Sequence, residues 1–214
     1  MTQSELVSSR GIWLALVQLE MKQILFRQSD ANYPPLWEDG AFQRAARWHG
    51  NGQGPAQYFA DTPDGAWAEL LRHEEILEPL SAEEFADRFN RTLWAVEVDL
   101  PDQICDMEKR VSGGELIGDE LSYNVCQKAA IEAREENYIA IMAPSAALVE
   151  EGANGVCVGN GVLNSGPARQ GRVFVVFRAM PETICWPCGG TPILNERMIS
   201  RVRYFTSTKA RRLL

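Results

Sequence analysis

Three groups of side chains in this 214-residue chain have the types and spacing for chemistry. The first is Arg47-Trp48 in a glycine-rich stretch, followed by Tyr58 and then Glu69. A strand ending near Tyr58 and a helix carrying Glu69 about two turns in would bring a cation, an aromatic ring and a carboxylate together, provided the Arg47 loop folds back. Taken alone, Glu69 reads as a solvated helix carboxylate. The second is Ser145, after Pro144 at the end of an apolar run, a position suited to a cleft; its ordinary reading is a cap. The third is Cys185-Trp186-Pro187-Cys188. A redox dithiol wants a helix starting at the first thiol, and Gly189-Gly190 and Thr191-Pro192 follow instead. A zinc site wants a second pair, and Cys105, Cys126 and Cys157 are isolated. The expectation is a loop with two ordinary thiols.

Other motifs carry less. Gly152, Gly155, Gly159 and Gly161 lack the Lys-Ser/Thr pair of a phosphate loop and the dinucleotide fingerprint, so a turn between strands is expected. The two histidines, His49 and His73, stand at no ligand spacing, so no metal site and no Ser-His-Asp triad is expected.

The elements that position these residues come from pattern. Gln23–Gln28 reads as a short strand and Trp37–Gly54 as a loop with one helical turn. Gln57–Ala60 reads as a strand running into a helix capped by Asp61 or Thr62, with Pro63 in its first turn, reaching about Leu77. Ser81 and Glu84 form a capping-box pattern opening a second helix. Arg91–Leu100 alternates as a strand, Asp119–Arg134 is helical in composition, and Tyr138–Met142 and Gly171–Ala179 read as strands. Glu5–Met21 has roughly helical apolar spacing. Strands and helices are intermixed without regular alternation, which favours α+β in one domain.

Composition sets limits. With 45% hydrophobic and 23% charged residues the chain is of ordinary globular type, neither collagenous nor bulk disordered. A chain of this length buries about 70% of its unfolded surface and needs no disulfide or metal staple. The net charge is −8. From Arg197 onward there are six basic and no acidic residues, leaving fifteen basic against twenty-nine acidic before it. An acidic body argues against broad nucleic-acid binding, and the basic end reads as a solvated tail. The start, Met-Thr-Gln-Ser-Glu, has no positive n-region, Gly11–Leu19 is too short to span a bilayer, and five cysteines read as thiols, so a cytoplasmic protein without membrane contact is expected.

Taken together, the first two groups resemble the RES domain family, named for an Arg, a Glu and a Ser. The matching pieces are Phe26-Arg27, Arg47-Trp48, Gln57-Tyr58-Phe59-Ala60-Asp61-Thr62-Pro63, Ala66-Trp67-Ala68-Glu69, Tyr138-Ile139-Ala140 leading to Pro144-Ser145, and Gly152-Ala153-Asn154. Gln28 stands where some members have a tyrosine. The resemblance covers roughly residues 22 to 180. It implies a core similar to ADP-ribosyltransferases, with a mixed or antiparallel sheet, over residues 22–196. Residues 1–21 would be an added helix and 197–214 a basic segment.

It further implies cleavage of NAD with release of nicotinamide, by water or phosphate attack, as in a glycohydrolase or phosphorylase. NAD would be the substrate, with no metal, and a small antitoxin protein the partner of a toxin. In that chemistry Glu69 would stabilise the developing oxocarbenium charge, Arg47 and Arg27 would grip the pyrophosphate, Tyr58 would stack on the pyridinium, and Ser145 would hydrogen-bond ribose or carboxamide. Two other readings remain: ADP-ribosyl transfer to a macromolecule, and a non-catalytic NAD-binding or interaction module. Redox work at Cys185 and Cys188 is a third.

Overall fold

The computed structural model describes residues 22–36, 43–100, 104–180 and 182–206. The expected helix over 1–21 lies outside these, as do residues 37–42 of the expected loop. Nine strands are described: β1 Lys22–Asp30, β2 Gln57–Ala60, β3 Arg91–Asp99, β4 Cys105–Asp106, β5 Ala140–Pro144, β6 Val156–Gly159, β7 Val162–Ser165, β8 Arg172–Val176 and β9 Cys185–Gly189. The helices are α1 Pro63–His73, α2 Ala82–Arg88, α3 Gly113–Ile117, α4 Tyr123–Glu135 and α5 Glu196–Ser200. Seven strands form one sheet in the order β4-β5-β8-β2-β1-β3-β9. Its neighbours are antiparallel except the parallel pair β4–β5. This is the expected α+β class with a mixed sheet.

Local chemistry explains the element that matters most. Thr62 is extended and its Oγ1 accepts the Gly65 N–H at 3.0 Å, and Pro63 occupies the first helical turn. Ala66, Trp67, Leu70 and Leu71 then recur at helical spacing and are buried against the sheet. The helix stops at His73 rather than near Leu77. Glu75 adopts φ 52°, and the Ile76 N–H turns back to the Leu71 carbonyl at 3.0 Å, so Ile76 drops into the core. The capping box at Ser81 and Glu84 forms as expected.

Packing divides by sheet face. On one face α1 and α2 cover Ala60 and Leu93, and α4 covers Ile141, Ala143 and Val175. On the other, Leu25, Phe59, Val96, Val98, Phe174 and Val176 form a separate cluster. The glycine-rich region holds the expected turn: Asn160 (φ 52°) and Gly161 (φ 75°) join β6 to β7, a hairpin with every strand residue exposed.

Two expectations are corrected. Cys185–Cys188 is not a loop but lies in β9, the edge strand beside β3. An edge tolerates Pro187, whose missing N–H costs no ladder bond on the solvent side. The basic end is not a solvated tail over 197–206. Met198, Ile199, Val202, Tyr204 and Phe205 are interleaved with the arginines and buried, and Arg201 donates to Asp64 at 2.9 Å. The boundary expected after 196 therefore falls inside α5. Residues 207–214 lie outside the described set.

Candidate active site

A cavity of about 440 Å³ opens where β1, β2 and α1 meet the loops around residues 45–48, 120–123 and 144–146. That size suits a small-molecule ligand. Arg47, Tyr58, Glu69 and Ser145 all line it, with Arg72, His73 and Tyr123 beside them. The loop does fold back: the Trp48 N–H donates to Tyr58 Oη at 3.0 Å, which ties residue 48 to the middle of β2.

Arg47 is 7% exposed. Its guanidinium donates to the Glu115 carbonyl at 3.0 Å, Ser122 Oγ at 2.9 Å and the Gly118 carbonyl at 2.6 Å, and lies 4.7 Å from the Tyr123 ring centre. These bonds commit much of its fork to the protein, so its charge reaches the cavity chiefly as a field. Arg72, three residues after Glu69, shares the Gly118 acceptor at 2.9 Å and also donates to the Ala146 carbonyl. It is 1% exposed. Burial and the neighbouring Arg47 push its proton affinity down, while Glu69 pushes it up. Gly118 must be glycine here, since a Cβ would sit 2.9 Å from the Gly114 carbonyl oxygen.

Glu69 projects from the second turn of α1, about one-third exposed, with His73 Nε2 3.8 Å from its carboxylate. Tyr58 Oη also meets His49 Nδ1 at 3.1 Å. Burial raises the Tyr58 phenol above its ordinary range and lowers the His49 imidazole below 6.5, so both are neutral near pH 7. With Trp48 donating to Oη, the phenol proton points to His49 Nδ1; that tautomer is an assignment from the bonding. Ser145 directly follows β5, its N–H donating to the Gly171 carbonyl at 2.8 Å and its Oγ accepting the Leu148 N–H at 3.2 Å. No helix follows, so the helix-cap reading of Ser145 is corrected to a local turn contact, and its hydroxyl proton still has the cavity within reach.

Arg27 is placed differently. Strand alternation, fixed by Phe26 opposite Ala60, puts Phe26 and Gln28 on the face of Tyr58 and turns Arg27 to the other face. There its guanidinium bonds Gln57 and lies close enough to Cys185 to lower that thiol's proton affinity. Arg27 also contributes to the cavity wall. Gln28, beside it, keeps a buried Oε1 with no partner among the described residues.

The sequence reading missed Arg72, Tyr123 and His49. Arg72 had a signal: at i+3 from Glu69 on one helix, the two share a face. Tyr123 had none, because its partner Arg47 lies far off in the chain, whereas His49 directly follows the Arg47-Trp48 pair and meets Tyr58 nine residues on. Among the described residues no group of three or more His, Cys, Asp or Glu is placed to hold a metal ion, and no helix is long and apolar enough to cross a membrane.

The chain is similar to known proteins in this same region. The RES domain family model matches residues 22–174. The Mycobacterium tuberculosis protein named "Probable NAD(+) phosphorylase Rv3189" is 33% identical over 104 residues, a stretch spanning 48% of this chain and 48% of that protein. In the crystal structure of the M. tuberculosis MbcT-MbcA toxin-antitoxin complex, a chain with 16% identity aligns over 77% of this one and 84% of its own length, with a TM-score of 0.47. The family match runs from β1 into β8 and takes in Arg47, Tyr58, Glu69 and Ser145, and by it the chain belongs to the RES domain family.

Proposed function

We propose that this protein cleaves the bond between nicotinamide and ribose in NAD. The observation that carries the reading is convergence: Arg47, Tyr58, Glu69 and Ser145, far apart in the chain, line one cavity. The family membership and the relative named for NAD phosphorylase support the same substrate.

The bond from C1′ to the pyridinium nitrogen breaks with its electron pair going to that nitrogen. Nicotinamide leaves neutral, so no general acid is needed. The ribose passes through an oxocarbenium-like state, and an oxygen of water or phosphate closes on C1′. Glu69 stabilises the developing positive charge, directly or through the ribose hydroxyls. Arg47 and Arg72 supply the field that offsets the pyrophosphate. Tyr58 offers its ring to the pyridinium face, with Trp48 and His49 holding its hydroxyl. Ser145 donates to ribose or to the carboxamide. Arg27, which lines the cavity and also bonds Gln57, is a further cation for the pyrophosphate.

The reading extends to a glycohydrolase or a phosphorylase, and to a toxin held in check by a small antitoxin protein, as family resemblance implies. Nicotinamide release from NAD by the purified protein, with and without phosphate, tests it. Release only with phosphate names the phosphorylase, and release in both buffers names the glycohydrolase. A mass shift on added protein or on the chain itself would favour macromolecular transfer, and NAD binding without release would favour a binding module.

A further inference from the structure

Residues beyond the family match stand behind the cavity wall and fasten it. The match ends at 174. Yet Leu194 bridges to Leu80, Val202 bridges to Leu148, and Arg203 donates its N–H to the Ala147 carbonyl at 2.7 Å. Tyr204 Oη bonds the Ile76 carbonyl just past α1. The Thr206 N–H meets both carboxylate oxygens of Asp119 at 3.2 Å. The strap formed by residues 194–206 is thus fastened to the Ser145 loop, to the end of α1 and to the loop that receives Arg47.

Phe205 lies in the middle of these fastenings, 9% exposed. Its ring centre is 4.2 Å from Arg72 Cζ and 5.5 Å from the His73 ring, which meets it edge-on. Arg72 and His73 are the two cationic or ionisable neighbours of Glu69 on its own helix, and both line the cavity, whereas Phe205 stands behind them. A guanidinium stacked on a ring is held in plane, and its fork is thereby aimed at fixed acceptors. Here those acceptors are the Ala146 carbonyl beside Ser145 and the Gly118 carbonyl shared with Arg47.

We propose that Phe205 is a positioning residue of this site: through Arg72 and His73 it fixes the surroundings of Glu69, so that the strap outside the matched domain is part of the working enzyme. The proposal rests on the NAD reading above for its substrate but not for its geometry. A misplacement of about 1 Å at distant supports can cost 100-fold in rate.

The test uses the full chain and the variants Phe205→Leu, Phe205→Tyr and Arg72→Lys. Two readouts run in parallel: kcat and KM for nicotinamide release, and the ring resonances of the two histidines, assigned with His73→Gln. We expect Phe205→Leu to move the His73 ring signals and to lower kcat tenfold or more with KM within threefold. Phe205→Tyr should restore both, and Arg72→Lys should match the loss. The proposal is overturned if Phe205→Leu shifts the His73 signals while kcat stays within twofold, or if Leu and Tyr behave alike. Should Phe205→Leu fail to fold, Phe205→Met takes its place under the same criteria. A wild type that binds NAD without cleaving it sinks the cleavage reading only. The positioning claim is then read as NAD affinity, at least tenfold weaker in Phe205→Leu, and equal affinities overturn it. A wild type that neither binds nor cleaves NAD overturns both.

Discussion

The cavity beside α1 and the edge strand β9 both carry residues able to do chemistry, and they differ in what surrounds them. At the cavity, Arg47 and Arg72 converge on one carbonyl, that of Gly118, from different parts of the chain. Tyr58 is held by two neighbours from the Arg47 loop, and Glu69 stands between ionisable groups. At β9, Cys185 donates to the Thr183 carbonyl and Cys188 to the Trp186 carbonyl, each within its own stretch of chain. Burial raises the Cys185 thiol, which makes it a poorer nucleophile at neutral pH. Cys188 sits exposed at the register shift where β9 meets β3. Reactive residue types are common; what makes a site is that several elements aim different groups at one enclosed volume.

The sharpest way to break this contrast is to remove the buried cation. Arg72→Met leaves the Ala146 carbonyl without that donor and the Gly118 carbonyl with Arg47 alone, which together with the lost buried packing should cost about 2–5 kcal/mol and lower Tm by roughly 10 °C in calorimetry. Nicotinamide release should fall with it. Arg47→Lys keeps the charge but loses a fork that serves three acceptors. We expect a loss of about 1.5–3 kcal/mol in denaturant unfolding and roughly a tenfold drop in turnover.

Tyr58→Phe separates ring from hydroxyl. It leaves the Trp48 N–H without an acceptor, about 1–3 kcal/mol by urea titration, while the ring facing the cavity remains. Smaller still is the effect of acid on His49. Its folded value lies below its ordinary 6.5, so the unfolded chain binds the proton more readily in the interval between the two. The stability from neutral His49 is therefore complete above about 6.5 and is lost as pH falls toward the folded value. Tm measured from pH 7.5 downward should show this, and His49→Gln should flatten the slope. On the other side of the contrast, the Cys185→Ser, Cys188→Ser double variant should leave turnover within about twofold of wild type.

The two regions also differ in how far they could be read from the chain. The unit from Gln57 to His73 announces itself locally: four residues of strand, a capping threonine, a proline in the first turn and an apolar helical face. Local signals of that kind need no knowledge of the rest of the fold. The exit of α1 was misjudged because Glu75 takes a left-handed conformation that sequence favours only weakly for a glutamate. Strand β9 was hidden because its proline and cysteines carry no alternating pattern, and only pairing with β3 makes it a strand. The strap over 197–206 looked solvated because six basic residues dominate the end of the chain, while Ile199, Val202 and Tyr204 between them are what the core takes in. For Arg27 the residue type suggested a phosphate contact. Strand alternation, which the residue type does not show, also ties it to Gln57 on the opposite face while it lines the cavity.

We propose that the carboxylate of Glu69 carries the chemistry at this cavity. It is tested most directly by nicotinamide release from NAD, comparing the wild type with Glu69→Gln, which keeps the shape and removes the charge. We expect release by the wild type and a loss of about 100-fold or more in the variant. A variant within about threefold of wild type, or a wild type that releases nothing with or without phosphate, would contradict it.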